Sequence, residues 1–271
     1  MQLGNVTGST TADRQELLTA LIWGKPACGK TVLASTAPGK KLWLQFDPSG
    51  TASLRRSDDI IVADFAHYKA VQLENFKQGG IIEKDLLKEI PANGINTVVL
   101  DSLTSFGQLA LSYGIQTGKA NRGSFRASIE QPGQTGYGVR SAMVLDFVSM
   151  LLRVCADTRA HCILVAHDQE SMDDDGKISE VTISLGGQGK ALIPAKISEI
   201  WHLEDTGKER RVYVRNHGLK KPMRTRMFSV PDNVTSFKVS YDQEKQSGAG
   251  IADWMKAWQA AGYSKIALPG T

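Results

Sequence analysis

The stretch Gly24-Lys25-Pro26-Ala27-Cys28-Gly29-Lys30-Thr31 decides the fold class of this chain of 271 residues. Its two glycines are separated by four residues, and a lysine and a threonine follow, which is the spacing of a phosphate-binding loop, or P-loop. Glycine lets the backbone approach phosphate oxygens closely, so that successive N–H groups can bind them. We expect Lys30 to reach the terminal phosphates of ATP and the Thr31 hydroxyl to bind Mg²⁺. The motif therefore predicts a nucleotide site lined by this stretch and by Val32.

The sequence on both sides of the P-loop has the pattern that the motif requires. Leu17 to Trp23 is an apolar run, typical of a buried strand. Thr31 to Thr36 predicts a short helix, which ends near Pro38-Gly39. A helix that begins at the loop adds the positive end of its dipole to the phosphate site. This context favours a phosphate-binding loop over an ordinary glycine turn.

A P-loop site needs an acidic partner at the end of another strand. The run Thr97-Val98-Val99-Leu100-Asp101 is rich in β-branched residues and gives the strongest strand signal in the chain. In P-loop proteins an aspartate in this place helps to hold Mg²⁺, which contacts the phosphates. We therefore expect Asp101 to complete the magnesium site with Thr31. A turn residue that ends a strand would have the same sequence pattern.

Hydrolysis of ATP also needs a group that orients or deprotonates the attacking water. Two polar residues follow predicted strands and are candidates for this role. Asp47 follows the strand Leu42 to Phe46, and His167 follows the strand Cys162 to Ala166. Each residue also has a structural explanation, because aspartate begins turns and histidine occurs at the edges of hydrophobic cores.

The remaining pattern predicts one large α/β domain. Strand and helix signals alternate through most of the chain, and from Trp201 onward short strands follow whose alternation is typical of paired edge strands. This order is typical of a mostly parallel sheet flanked by helices, with a C-terminal part rich in β-hairpins. We place a flexible leader at 1–16, the main domain at 17–245, and a C-terminal helix with a tail at 246–271. The polar segment 114–136 is long enough to be a functional loop.

Composition excludes several classes of protein. Hydrophobic residues make up 41% and charged residues 22% of the chain, as in ordinary globular domains. No apolar run reaches the roughly 18 residues of a membrane span, and the N-terminus lacks the pattern of a secretory signal. The three cysteines have no metal-binding spacing and fit a reducing compartment. We expect a soluble, cytoplasmic protein without a membrane partner.

The positive charge of the chain is concentrated in one segment. The formal net charge is only +4, but residues 205–226 include eight basic and two acidic residues. Contacts of lysine and arginine with phosphates dominate the non-specific binding of nucleic acids. Four basic residues around Pro222 are candidates for contacts with single-stranded DNA: Lys220, Lys221, Arg224 and Arg226. A solvated charged surface is the alternative explanation.

The order of these motifs resembles the RecA/RadA-like family of P-loop ATPases, and within it the short phage-encoded ATPases of recombination and single-strand annealing. The similarity covers roughly residues 17–230. It implies a twisted, mostly parallel sheet in which the His167 strand lies between the P-loop strand and the Asp101 strand. It also implies ATP hydrolysis at the subunit interfaces of a homo-oligomeric ring or filament. The implied partners are single-stranded DNA and a single-strand-binding protein.

The resemblance also implies roles for residues late in the chain. The segment 168–190, which ends at Lys190, takes the place of a DNA-binding loop. Arg215 matches a basic finger that enters the ATP site of a neighbouring subunit, whereas His217 stands where a second arginine is common. The family places a catalytic glutamate after its second strand, but residues 47–50 include none. Either Asp47 acts in its place or turnover is slow.

Two other functions fit the same motifs. A P-loop kinase would transfer the phosphate to a small molecule or a nucleotide. In that case the segment 114–136, with Arg122 and Arg126, would serve as an arginine-bearing lid. An assembly factor would hold a mainly structural nucleotide and rarely cleave it, which the missing glutamate would explain.

Overall fold

The computed structural model describes residues 2–3, 6–7, 16–54, 56–117, 133–242, 244–245 and 247–270. The described part of the predicted leader includes an antiparallel pair of two-residue strands, β1 (Gln2–Leu3) and β2 (Val6–Thr7). Most of the polar segment 114–136 lies outside the described residues, including Lys119, Arg122 and Arg126. The predicted lid therefore falls outside them as well.

A nine-stranded sheet forms the centre of the molecule. The strands after the leader are β3 (Thr19–Gly24), β4 (Lys40–Gln45), β5 (Ile60–Asp64), β6 (Ile95–Asp101), β7 (His161–Met172), β8 (Ile178–Ile183), β9 (Glu199–Asp205), β10 (Arg210–Tyr213), β11 (Phe228–Ser229), β12 (Ser236–Lys238) and β13 (Ile266–Ala267). The order across the sheet is β12-β10-β9-β3-β7-β6-β4-β5, and β8 pairs with the far end of β7. β11 and β13 form a separate parallel pair.

Six neighbouring strands of the sheet, from β9 to β5, run parallel to one another. Both faces of a parallel sheet are covered, so its strands are near-continuous apolar runs. β3 illustrates this, because every residue after Thr19 is buried. The His167 strand, β7, lies between the P-loop strand β3 and the Asp101 strand β6, as predicted. The predicted α/β class with a mostly parallel sheet is confirmed.

Helices cover both faces of the sheet. They are α1 (Lys30–Ser35), α2 (Ile81–Ala92), α3 (Leu103–Thr117), α4 (Gly133–Asp157), α5 (Gly189–Lys196) and α6 (Ile251–Ala260), with 3-10 turns at Gly50–Ser53 and Ala70–Phe76. One face carries α2 to α5 over a core that includes Phe106 and Phe147. The other face carries α1 and α6 over a core that includes Trp201 and Trp254. None of the helices in the described ranges is long and apolar enough to cross a membrane.

Two features of the second half of the chain differ from the prediction. The strand predicted to end at His167 continues to Met172, because its last residues pair with β8. The segment 168–190, predicted as a loop, is therefore mainly a β-hairpin that leads to the start of α5. The strand around Trp201, predicted at an edge, lies inside the sheet between β3 and β10. Short sequence patterns do not show which strands become neighbours, and the neighbours decide both features.

Candidate nucleotide-binding site

The predicted site residues meet at one edge of the sheet, where the carboxyl ends of the parallel strands lie side by side. Gly24 at the end of β3 is paired with His167 of β7. Gln45 at the end of β4 is paired with Asp101 of β6. Open α/β sheets bind their ligands just outside this edge, because loops from several strands converge there. The fold thus brings four separate segments of the chain to one place.

The backbone of the P-loop has a shape that only glycine allows at its first position. Gly24 has a φ of 152°, and a Cβ atom there would lie 2.2 Å from the carbonyl oxygen of Leu203 in β9. Further along the loop, Ala27 has a φ of 62°, in the left-handed region. Residues other than glycine rarely adopt that region, and such conformations cluster at ligand-binding sites.

Lys30 is buried at the base of the P-loop. Its Nζ donates hydrogen bonds to the carbonyl oxygens of Gly24, at 2.9 Å, and Lys25, at 2.6 Å. Burial lowers the pKa of Lys30, whereas the neighbouring Cys28 and Asp101 raise it. Burial also raises the pKa of the Cys28 thiol, which keeps this thiol protonated. The ammonium group is thus held at the loop, where phosphate oxygens can replace the carbonyl oxygens as its partners.

Thr31 and Asp101 form the opposite wall of the site. The Thr31 hydroxyl donates a hydrogen bond of 2.8 Å to Asp101 Oδ2. Burial raises the pKa of the Asp101 carboxyl to about 6, the bond from Thr31 opposes this rise, and the nearby Asp47 adds to it. A cation would favour the ionised form of this buried carboxyl.

The oxygens of Thr31 and Asp101 fit a magnesium ion. Mg²⁺ prefers oxygen ligands and usually keeps several waters, so that one or two protein oxygens and the phosphates complete its shell. A hydroxyl and a carboxylate 2.8 Å apart supply that set. Within the described ranges, no cluster of three or more histidine, cysteine or acidic side chains offers a different metal site.

Asp47 and His167, the two candidates for activating water, face each other at the same edge. His167 Nε2 lies 3.9 Å from Asp47 Oδ2. Burial and then the charge of Lys30 lower the pKa of His167, against the effect of Asp47, so that the imidazole is neutral near pH 7. Asp47 Oδ1 accepts a hydrogen bond of 3.2 Å from the Ser49 N–H, as in a turn-forming aspartate. The structure thus supports both the functional and the structural interpretation of Asp47.

Two further residues lie beside this edge of the sheet and belong to no recognisable motif. The Thr104 hydroxyl accepts a hydrogen bond of 2.9 Å from the His167 N–H, which fixes the backbone at this histidine. Gln45 is buried next to Asp101, and its Oε1 has no hydrogen-bond partner among the described residues. Neither residue could be found from the sequence, because Gln45 acquires its place through the pairing of β4 with β6, and Thr104 through the packing of the first turn of α3 beside β7.

Arg210 lies against the second glycine of the P-loop. Its Cδ, Nε and Cζ atoms are 3.2–3.3 Å from the position that a Cβ atom of Gly29 would occupy. Its Nε is 3.4 Å from Asp205 Oδ2, so an ion pair holds the guanidinium group beside the loop. The sequence analysis counted Arg210 only as part of the basic segment, although it is the basic residue of that segment that touches the P-loop glycine.

Arg215, the predicted finger, is bound within its own chain. Its Nη1 donates hydrogen bonds to the carbonyl oxygens of Pro231, at 3.2 Å, and Asp232, at 3.1 Å. Its Nη2 donates a bond of 2.9 Å to the carbonyl oxygen of Val230. In this arrangement the guanidinium group stabilises the turn after β11. A role of Arg215 in the site of a neighbouring subunit stays a prediction.

Much of the predicted basic surface is neutralised by acidic residues from other segments. Lys220 pairs with Glu204 at 2.8 Å, and Lys221 pairs with Glu180 at 3.3 Å. The Arg224 guanidinium donates hydrogen bonds to two backbone carbonyl oxygens, those of Pro194 and Ile197. Lys190, in the first turn of α5, and Arg226 have no ion pair within the part of the chain that the structure describes. The predicted DNA contacts of these residues stay untested.

Comparison with known proteins identifies the family of this chain. A family model described as an AAA domain matches residues 17–229, which include the P-loop and all the candidate residues up to Arg226. A search among curated proteins finds no significant match. Because the family model covers more than three quarters of the chain, this chain belongs to the AAA domain family, and its matched region is an AAA/P-loop ATPase-type domain.

Proposed function

We propose that this chain binds ATP with Mg²⁺ and hydrolyses it. The observation that carries the proposal is the meeting of Lys30, Thr31 and Asp101 with the Asp47–His167 pair at one edge of the sheet. The first three residues supply the positive charge and the oxygen ligands that a nucleotide triphosphate requires. The last two supply groups that can bind and deprotonate water.

Hydrolysis transfers the terminal phosphoryl group of ATP to water. The water oxygen forms a bond to the γ-phosphorus, the bond from that phosphorus to the bridging oxygen breaks, and ADP and phosphate leave. Lys30 binds the phosphates and stabilises the charge that develops on the leaving group. Asp47 accepts the proton of the water, and the neutral His167 beside it orients that water. Thr31 and Asp101 would hold Mg²⁺, which would neutralise charge on the phosphate oxygens.

Turnover by this site is slow in our proposal. Asp47 has a shorter side chain than the glutamate that the resemblance calls for, and one of its oxygens already accepts the Ser49 N–H. A general base must come within hydrogen-bond reach of the water. The short and partly engaged side chain of Asp47 favours a second candidate function, in which the nucleotide is mainly structural and stabilises an assembly. A single-turnover measurement separates slow hydrolysis from none.

We further propose that the protein is a RecA-like ATPase that acts as a homo-oligomer on single-stranded DNA in recombination, annealing or replication. Support comes from the strand order, in which the P-loop strand is followed across the sheet by the His167 and Asp101 strands. The β7–β8 hairpin supports it as well, because it continues from the strand end that holds His167 and takes the place of a DNA-binding loop in the family that the sequence resembles. Lys190 and Arg226 are the basic residues that we propose to meet the DNA phosphates.

The test is ATP hydrolysis by the wild type and by Lys30→Ala, with and without single-stranded DNA, at two salt concentrations. The control is Lys84→Ala, which removes the same charge from an exposed position of α2. We expect DNA to stimulate hydrolysis by the wild type and higher salt to weaken this stimulation. Lys30→Ala should abolish hydrolysis, whereas Lys84→Ala should not. An equal rate of hydrolysis with and without DNA would rule out the DNA-dependent function. A phosphorylated product in a screen of acceptor molecules would replace it with the kinase alternative.

A further inference from the structure

A second cavity lies beside the P-loop, on the side of the β7–β8 hairpin. It is a cleft of about 660 Å³. Its walls are the outer surface of the P-loop (25–28), the adjoining ends of β7 and β9, the hairpin strand β8, and residues 217–220. We call it the hairpin cleft. The P-loop forms one of its walls, but the proposed hydrolysis does not use the cleft.

The hairpin cleft and the nucleotide site lie on opposite faces of the sheet. Successive side chains of a strand point to opposite faces. In β9, Trp201 packs in the core on the α1 and α6 face, so His202 points to the other face. In β7, His167 faces Asp47 at the nucleotide site, and the next residue, Asp168, lines the cleft. The two sites therefore share the P-loop as a common wall.

Two buried polar atoms of the hairpin cleft lack a partner. His202 is only 2% exposed, and its Nδ1 forms no hydrogen bond with any described residue. The same is true of Asp168 Oδ2, which is also buried. A buried polar atom without a partner destabilises the fold, and most native structures avoid it. Burial and then the charge of Lys220 lower the pKa of His202 to about 4, so this imidazole is neutral near pH 7. A neutral imidazole can accept a hydrogen bond at Nδ1, and a carboxylate only accepts.

The charge of the cleft lining is negative. Four carboxyl groups line it, against two ammonium groups: Asp168, Glu170, Glu204 and Asp205, and Lys25 and Lys220. Both lysines are already paired with glutamates, Lys25 with Glu170 at 3.4 Å and Lys220 with Glu204 at 2.8 Å. Asp168 has no ion pair among the described residues. The cleft therefore disfavours an anion and presents one carboxylate that a cation would neutralise.

Much of the remaining lining is apolar, apart from His217. Ile178 and Val181 of β8, with Leu219, form this part of the wall. Leu219 is 49% exposed and lies at the surface of the cleft. Alkyl ammonium and guanidinium groups combine an apolar stem with a charged head and bury the stem along apolar surface. Such a group matches both parts of the lining.

We propose that the hairpin cleft binds an alkyl guanidinium or alkyl ammonium group. The charged head donates hydrogen bonds to Asp168 and to His202 Nδ1, and the stem packs against Val181 and Leu219. The group has two sources with the same chemistry: a free organic amine, or an arginine or lysine side chain of a second copy of this chain. The inference goes beyond ATP hydrolysis and does not depend on it.

Calorimetric titration of the full chain with n-butylguanidinium tests the site, and n-butylurea serves as the uncharged probe of similar shape. We expect binding of the guanidinium probe only, weakened about tenfold or more by Asp168→Asn, because a charge-assisted bond is lost. Asp174→Asn, which makes the same change in the exposed turn of the hairpin, should bind as the wild type does. Leu219→Trp, which fills the cleft from its exposed side, should also prevent binding.

Sedimentation velocity of the same variants identifies the source of the cation. If the probe binds and Asp168→Asn leaves self-association unchanged, the ligand is a free amine. If Asp168→Asn reduces self-association and Asp174→Asn does not, the cation is a basic side chain of a second copy, whether or not the probe binds. Equal binding of both probes, or unchanged binding and association in Asp168→Asn, would overturn the proposal.

Discussion

At the scale of single residues, Gly24 is the position where the P-loop backbone is most tightly constrained. We predict that Gly24→Ala destabilises the fold by more than about 3 kcal/mol, since the new Cβ would meet the Leu203 carbonyl 2.2 Å away. The matched control is Gly94→Ala, because Gly94 also has a positive φ, of 62°, but has no atom within 4 Å of the new Cβ. The control should lose only about 1 kcal/mol. Urea denaturation measures both losses, and equal losses would show that the backbone angle alone matters.

His202 makes the stability of the protein depend on pH. Burial lowers its pKa from 6.5 to about 4, with Lys220, Lys30 and Lys25 acting in the same direction and Glu204 against it. Above pH 6.5 the imidazole is neutral in both the folded and unfolded states, so its stabilising effect is fully present. As the pH falls towards 4, the unfolded chain binds a proton that the folded chain does not, and stability is lost.

We therefore predict that the wild type loses up to about 3 kcal/mol relative to His202→Phe between about pH 7.5 and about pH 4. The quantity to measure is the difference in the free energy of unfolding between the two proteins at each pH. His67→Phe, which replaces an exposed histidine, should show no such change. A difference that stays constant with pH would mean that His202 is not protonated on unfolding.

The residues of the candidate site that could be predicted from the sequence belong to short continuous patterns. The P-loop needs eight consecutive residues, so its spacing carries the phosphate-binding function directly. Asp101 could be placed because a strong strand signal precedes it. Arg210 and Thr104 could not, since Arg210 reaches Gly29, and Thr104 reaches His167, only through the folded chain. For the same reason the sequence does not predict the Lys220–Glu204 ion pair, which neutralises one of the charges of the basic segment.

At the scale of elements, α6 connects the C-terminal part to the P-loop helix. The first N–H groups of α6, those of Ile251 and Ala252, donate hydrogen bonds of 2.9 Å to the hydroxyl and the carbonyl of Thr36, which ends α1. Trp254, which is 4% exposed, packs at right angles to Phe237 and close to Trp201. These contacts predict that α6 folds together with the nucleotide site.

We predict that Trp254→Ala destabilises the protein by about 3–5 kcal/mol, as large-to-small changes in a core do. Lys256→Ala, an exposed change in the same helix, should alter stability by no more than about 0.5 kcal/mol. The free energy of unfolding measures both, and ATP binding should be lost in parallel with the fold of the tryptophan variant. A stable Trp254→Ala protein that still binds ATP would mean that α6 is dispensable.

Helices and buried strands could be predicted from sequence, but the neighbours of the strands could not. Apolar runs such as Thr97 to Leu100 act within a few positions of the chain. The extension of β7 to Met172 depends on pairing with β8, and the place of β9 depends on pairing with β3. The resemblance supplied only the place of β7 between β3 and β6, so neither it nor the residues themselves predicted these two pairings.

At the scale of the whole molecule, the distribution of charge decides which residues can meet DNA. Lysines that are paired with glutamates must break an ion pair before they can contact a phosphate. Lys221 is such a residue, because it lies 3.3 Å from Glu180. Lys190 and Arg226 have no ion pair in the ranges that the structure covers. Unpaired cations are free to displace counter-ions from the nucleic acid, which is the source of the salt dependence of binding.

We therefore predict that Lys190→Gln combined with Arg226→Gln weakens binding to single-stranded DNA and lowers its salt dependence. The slope of log affinity against log salt should become shallower by about 1.4, or about 0.7 for each phosphate contact that is lost.

Two control variants distinguish the loss of phosphate contacts from a change in the net charge of the protein. Lys221→Gln with Glu180→Gln removes an ion pair without changing the net charge, and Lys84→Gln with Lys256→Gln removes the same charge elsewhere; both should keep the slope. Fluorescence anisotropy with a labelled oligonucleotide at several salt concentrations measures it. If all three variants keep the slope of the wild type, the DNA lies on another surface and the basic segment has a structural role, because Arg215 and Arg224 bind backbone carbonyls and Lys220 and Lys221 bind glutamates.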